Sequence, residues 1–250
     1  MTPRQLAHRA SAELRRAADP RLARRQRMFF KPWEEVPMYG IKTRDLRAIE
    51  RRLYQLVRKE WRYTEAVEFC ELLMPDRHIE SKGLALMLLA RYHRQYEEEL
   101  LDRAKRWLER DYCGNWAATD QLSTQIVSRI LDKFDPLTAA VESWRRSPSL
   151  WVRRASVVSF VKPAGKGRHL DRVYRIVTAL AADDHDLMHK ASGWLLREAG
   201  KADAKRLERY LLEHGPAIPR TTVRYAIERF PEAKRRRILE LTRGTKEAGR

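Results

Sequence analysis

Trp116 and Asp120 stand four residues apart in the segment Asn115-Trp116-Ala117-Ala118-Thr119-Asp120. In a helix that spacing sets an indole ring and a carboxylate on one face, about one turn apart. A single such pair is most often a core tryptophan beside a solvated aspartate. If both groups face a ligand, the chemistry is specific. The indole face attracts a cation through its quadrupole. The carboxylate stabilises an oxocarbenium-like sugar centre and can position an attacking water. Together they suit cleavage of an N-glycosidic bond whose leaving base is already positively charged, because such a base needs little general-acid help.

The elements that must position this pair are helical. Ala, Leu, Arg and Glu dominate the 250 residues, with only 10 Gly and 11 Pro, and alternating strand patterns are scarce. Residues 1–30 read as one or two basic amphipathic helices, with Leu6, Ala10, Leu14 and Ala17 as the apolar stripe. Pro32 and Pro37 mark a loop carrying Met28, Phe29, Phe30 and Trp33. Thr43 is the expected N-cap of a helix to about residue 59. Further helices are expected at about 64–74, 78–95, 97–111, 115–132, 136–146, 149–162, 168–183, 186–199, 202–213, 218–229 and 231–242.

Five segments in this run resemble one another, each opening the second helix of a pair: Ile79 to Gly83, Trp116 to Asp120, Trp151 to Ala155, Leu187 to Ala191 and Thr222 to Ala226. Their last residues are spaced by 37, 35, 36 and 35. A steady period over helix pairs signals an α-solenoid of HEAT or armadillo type. The last position is Gly or Ala in four repeats and Asp120 in one. A carboxylate there is costly if buried unpaired, so Asp120 either has a basic partner or faces the groove. Taking that position as zero and stepping about 100° per residue, Trp116, Trp194, Arg154 and Arg197 fall within an arc of roughly 120° on second helices. Each has an ordinary alternative. Trp194 alone is more often core, Arg197 has Glu198 beside it, and Arg153 is solvated or on a phosphate.

The net charge of +18 favours nucleic acid, an anionic membrane or an acidic protein as partner. Cys70 and Cys113 read as reduced thiols, and the seven scattered His residues form no metal-ligand spacing. No run of about 18 apolar residues occurs, so no membrane span is expected.

At these residues the sequence resembles the AlkD family of DNA alkylation repair glycosylases, which are built of HEAT-like repeats. The matching segments are Tyr39-Gly40-Ile41-Lys42-Thr43-Arg44, Asn115 to Asp120, Leu150-Trp151-Val152-Arg153-Arg154-Ala155 and Lys190-Ala191-Ser192-Gly193-Trp194-Leu195-Leu196-Arg197-Glu198. The last is the most specific, and the resemblance spans about residues 38–230. It departs at Asn115, where the family usually has an aromatic, and at the longer segment 28–38.

The resemblance implies excision of cationic N3- and N7-alkylated purines from duplex DNA. It implies Asp120 as the catalytic carboxylate, Trp116 and Trp194 as aromatic walls at the lesion, and Arg154 and Arg197 as backbone contacts. Arg153 and Lys190 join them as candidate DNA contacts. No metal or cofactor is expected, and no Schiff-base lysine is evident. The expected architecture is all-α: a right-handed, curved solenoid with a concave basic groove. Basic helices at 1–38 pack on a single repeat domain at 39–244, and a flexible tail follows at 245–250. The expected protein is a monomer, cytoplasmic in a bacterium and at the nucleoid when bound to DNA. The competing expectation is a non-catalytic HEAT-repeat protein that binds distorted or branched DNA through the same charge. A repeat scaffold for proteins fits the charge less well.

Overall fold

The computed structural model describes residues 1–32 and 34–243. Trp33 and the expected tail lie outside the described residues. Every regular element among the described residues is a helix, and the helix pairs stack in the manner of an α-solenoid of HEAT-like repeats. Residue contacts divide the chain into two compact units, Met1–Ile130 and Leu131–Arg250, where the sequence suggested one repeat domain after residue 38.

The first unit opens with α1 (Pro3–Arg16) and α2 (Pro20–Arg27). Thr2 and Gln5 form a reciprocal capping box around Pro3, which fixes the start of α1. Asp19 caps α2 by accepting from the N–H groups of Arg21 and Leu22. Leu6, Ala10 and Leu14 are fully buried, and Ala17 lies outside that stripe, at the exposed end of the helix. Next come α3 (Thr43–Val57), α4 (Tyr63–Leu73), α5 (Ile79–Leu89), α6 (Leu100–Glu109) and α7 (Trp116–Leu122). Thr43 does not cap α3; Lys42 holds the cap position and makes no side-chain bond there. Helix α1 packs on α3, α4 and α5, and α5 packs on α7.

Helix α7 does not run on unbroken. It passes through a π turn at Ser123–Val127 into α8 (Ser128–Lys133). The hydroxyls of Ser123 and Thr124 each donate to the carbonyl four residues back, those of Thr119 and Asp120, at 2.7 Å. Such local bonds compete with the regular ladder and bend it.

The second unit carries α9 (Leu137–Ser143), α10 (Leu150–Val158), α11 (Val161–Gly165), α12 (Leu170–Ala179), α13 (Asp186–Ala202), α14 (Ala204–His214), α15 (Arg220–Ala226) and α16 (Glu232–Leu241). The expected helix at 149–162 is two pieces, α10 and α11. Helix α13 packs on α10, α11 and α15. The repeat register explains how closely. Gly83, Ala155, Ala191 and Ala226 are all buried in second helices.

Gly193 shows the same constraint at its sharpest. A Cβ there would lie 2.4 Å from Cβ of Tyr225 and 2.8 Å from the carbonyl of Thr222. Gly193→Ala must therefore push α13 and α15 apart, at an expected cost of about 1–3 kcal/mol. Urea unfolding should show a lower midpoint at unchanged slope. An unchanged midpoint would mean that the two helices separate freely.

Candidate active site

Asn115 sets the start of α7. Its side chain is buried and accepts from the N–H of Ala118 at 2.9 Å. That cap puts Trp116 at the first helical position and Asp120 one turn later. Thr119, on the buried side, donates to the carbonyl of Cys113 at 2.7 Å and locks the turn before the helix. Across the repeat, Nε2 of Gln121 donates to the carbonyl of Gly83 at 2.9 Å and ties α7 to α5.

Trp116 and Asp120 are both half-buried, and both line a cavity of about 510 Å³ within the first unit. Its other walls come from α5 (Ile79, Glu80, Gly83, Met87), from the start of α3 (Thr43, Leu46, Arg47) and from the N-terminal segment (Gln26, Phe29, Phe30, Met38, Ile41). Apolar groups, three glutamines, an arginine and the two carboxylates of Glu80 and Asp120 thus meet in a space large enough for a nucleobase. Phe30 stacks on Trp116, with ring centroids 5.2 Å apart and planes at 26°. The aromatic wall is therefore two rings deep.

The N-terminal segment is held over the cavity by Glu80. This buried carboxylate accepts from the backbone N–H groups of Tyr39, Gly40 and Ile41 at 3.0, 2.8 and 3.2 Å. Gly40 makes the turn possible. Its φ is +80°, and a Cβ would lie 2.2 Å from the carbonyl of Asp19. Nε2 of Gln26 adds a bond to the carbonyl of Ile41 at 3.3 Å.

The remaining candidates belong to the second unit. Trp194 is half-buried on α13. Arg154 is 5% exposed and donates to the carbonyl of Leu187. Arg153 donates to Asp183 at 2.9 Å and to the carbonyls of Ser147 and Pro148 at 3.0 and 2.9 Å. Lys190 pairs with Asp186 at 2.7 Å, and that hydrogen bond raises its pKa. Arg197 pairs with Glu228 and lies near Glu198. The four cations proposed for phosphates are thus engaged within their own unit.

One of these contacts is a property of the repeat. Lys82, Thr119, Arg153 and His189 each donate to the carbonyl six residues earlier, at Asp76, Cys113, Ser147 and Asp183. In four of the five second helices a polar side chain near the helix start thus closes the loop before it. Arg153 has this structural duty whatever else it does.

The geometry agrees with the comparisons to known proteins. A family model described as DNA alkylation repair enzyme matches residues 10–230. The chain belongs to that family. Its role is accordingly in the repair of alkylated DNA. The fold is also that of a protein solved as a predicted DNA alkylation repair enzyme from Enterococcus faecalis. The two chains share 14% identity at a TM-score of 0.75, over 86% of this chain and 97% of that one. No match was found among curated protein sequences.

The family match begins at residue 10, within α1, rather than at the turn near 38 that carried the sequence resemblance. Sequence reasoning paired Trp116 with Asp120, which line one cavity, and did not single out Glu80 and Phe30, which line it with them. Glu80 had a visible signal. Its register position holds Ala117, Val152, Met188 and Val223 in the other repeats, so a carboxylate there is as anomalous as Asp120. Among the described residues no cluster of His, Cys, Asp or Glu could hold a metal ion, and no helix is long and apolar enough to cross a membrane. Burial raises the pKa of both cysteines, that of Cys113 to about 12, so both stay protonated at neutral pH.

Two measurements check this arrangement. Glu80→Gln replaces one acceptor oxygen by a donor facing N–H groups. It should cost about 1–3 kcal/mol, and limited trypsin digestion should then cut within residues 21–44 sooner than elsewhere. Uniform cutting along the chain would mean that Glu80 does not hold this segment. Arg154→Ala should cost about 2 kcal/mol, as loss of a buried charged hydrogen bond does. It should leave the salt dependence of DNA binding unchanged. A salt slope lower by about 1 would put Arg154 on a phosphate instead.

Proposed function

We propose that this family member is a monofunctional DNA glycosylase that hydrolyses the N-glycosidic bond of cationic N3- and N7-alkylated purines in duplex DNA and so starts base excision repair. The observation that carries the reading is the place of Asp120. Four sister repeats bury Gly or Ala at that register position. Here it is a half-buried carboxylate lining a cavity beside Trp116 and Phe30. A protein that only gripped phosphates would gain nothing from a carboxylate in that place, because it would repel them.

The chemistry follows from charge. An alkylated purine with a formal positive charge leaves as a neutral base. The C1′–N bond breaks with its electron pair going to the ring, so no proton need be supplied to the leaving group. Positive charge appears on the sugar, where the Asp120 carboxylate stabilises it through space. Water adds to C1′, and its proton passes to Asp120 or to solvent. The product is an abasic site. Trp116 holds the cationic base or sugar by its π face, and in this reading Trp194 supplies a second aromatic surface at the lesion. No lysine is assigned to the sugar carbon, so strand cleavage is not part of the reaction. The protein acts as a monomer on cytoplasmic DNA.

The test is release of 7-methylguanine from a duplex carrying one such base, with wild type beside Asp120→Asn and alkali to reveal abasic sites. The variant should lose about a hundredfold or more in excision rate and bind the duplex as tightly or more tightly. Equal activity would remove Asp120 from the mechanism. Binding without release by either protein would favour the non-catalytic reader of distorted DNA.

A further inference from the structure

Helix α2 leads into two large apolar side chains that stand exposed among the described residues. Met28 is 83% exposed and Phe29 is 77% exposed. Large apolar side chains displayed together on a soluble surface mark a place where something binds. Their display is not slack chain. The N–H groups of Met28, Phe29 and Phe30 donate to the carbonyls of Arg25, Gln26 and Arg27, so one further helical turn carries them. The Arg27 guanidinium then donates to the carbonyls of Lys31, Pro32 and Glu34 and folds the following loop back on itself. Phe30, the next residue, is anchored on Trp116 at the cavity. A rigid turn rooted on the aromatic wall thus holds Phe29 at the cavity rim, where it also lines the opening.

The charge beside this tip selects the occupant. Arg21, Arg24 and Arg25 are exposed on the same short helix. An apolar pair flanked by arginines would repel a cationic partner and suits a polyanion whose interior is apolar and flat, namely stacked bases behind a phosphate backbone. Apolar wedges of Phe, Met or Leu enter base steps in this way, partly unstacking them and kinking the duplex. We infer that Phe29, supported by Met28, is a wedge that inserts into the base stack at the damaged nucleotide and holds it against the Trp116–Asp120 cavity. Phe29 is a positioning residue and takes no part in bond cleavage. The inference rests on the glycosylase reading for its site, yet it is tested without excision.

The probe is a duplex with a tetrahydrofuran abasic analogue flanked by 2-aminopurine, set beside the intact duplex with the same fluorophore. Wild type should bind the analogue duplex more tightly and change the 2-aminopurine emission as its stacking changes. Phe29→Ala should lose the emission change and about tenfold in affinity for the analogue duplex, in line with the stacking energy of one base on an aromatic ring. It should keep its affinity for the intact duplex, which phosphate contacts set. Phe29→Trp should restore both readouts. An Arg24→Ala, Arg25→Ala double variant should weaken both duplexes alike. Because Phe29 is exposed, its variants fold. If Phe29→Ala keeps both the emission change and the preference, the wedge is overturned while the glycosylase reading stands. If wild type binds neither duplex, the DNA reading fails and the wedge with it.

Discussion

The position of the candidate site depends on one buried carboxylate. Glu80 takes three backbone N–H groups of the Tyr39–Gly40–Ile41 turn. A carboxylate buried without partners costs several kcal/mol, whereas one whose oxygens accept several N–H bonds is stable in place. The bond set is therefore close to all-or-none, and it fixes where the N-terminal segment crosses the first unit. The geometry that follows includes Gly40 against the start of α2, Gln26 on Ile41, and Phe30 on Trp116. Without Glu80 the cavity would lose its N-terminal wall, although Asp120 and Trp116 would still sit on α7.

Much of this was legible in the sequence for a simple physical reason. Second helices of stacked pairs approach closely, so one register position must be small, and the period of 35 to 37 residues can be read from those small residues alone. Gly193 against Tyr225 shows how tight the approach is. A large or charged residue at such a position cannot be a packing choice. That argument singled out Asp120. Three positions earlier the other repeats carry apolar residues, and comparing the repeats there would have singled out Glu80. The fold class and the placement of Trp116 beside Asp120 came from the same periodicity.

The rest was not legible because it depends on contacts between segments far apart in the chain. Nothing local to Phe30 says that its ring meets Trp116, 86 residues on. The π turn after Asp120 arises from hydroxyls at 123 and 124 bonding backwards, which a hydrophobic pattern reads as unbroken helix. The division into two units was also hidden, since the repeat pattern runs through residue 130 without a change of composition. For the cations of the second unit, a helical wheel gives direction but not reach. The register placed Arg154 in the arc expected to face a groove, but its side chain is buried and its guanidinium donates to the Leu187 carbonyl.

That distinction between direction and reach bears on how a strongly basic protein uses its charge. Long-range attraction to DNA needs only the net excess of +18, and it acts over about a Debye length whether or not individual arginines are paired. A specific phosphate contact needs a guanidinium whose N–H groups can change partner. The second-unit cations differ sharply on this point. Arg154 is enclosed, and Arg153 closes a repeat loop, so moving either would cost the fold its own hydrogen bonds. Arg197 is different, because its partner Glu228 is 59% exposed. A phosphate can replace an exposed carboxylate with little net loss, since each is an anion offering two oxygens to one guanidinium. Arg197 therefore fits a switchable backbone contact. Arg153 and Arg154 fit the scaffold that keeps α10 and α13 in register.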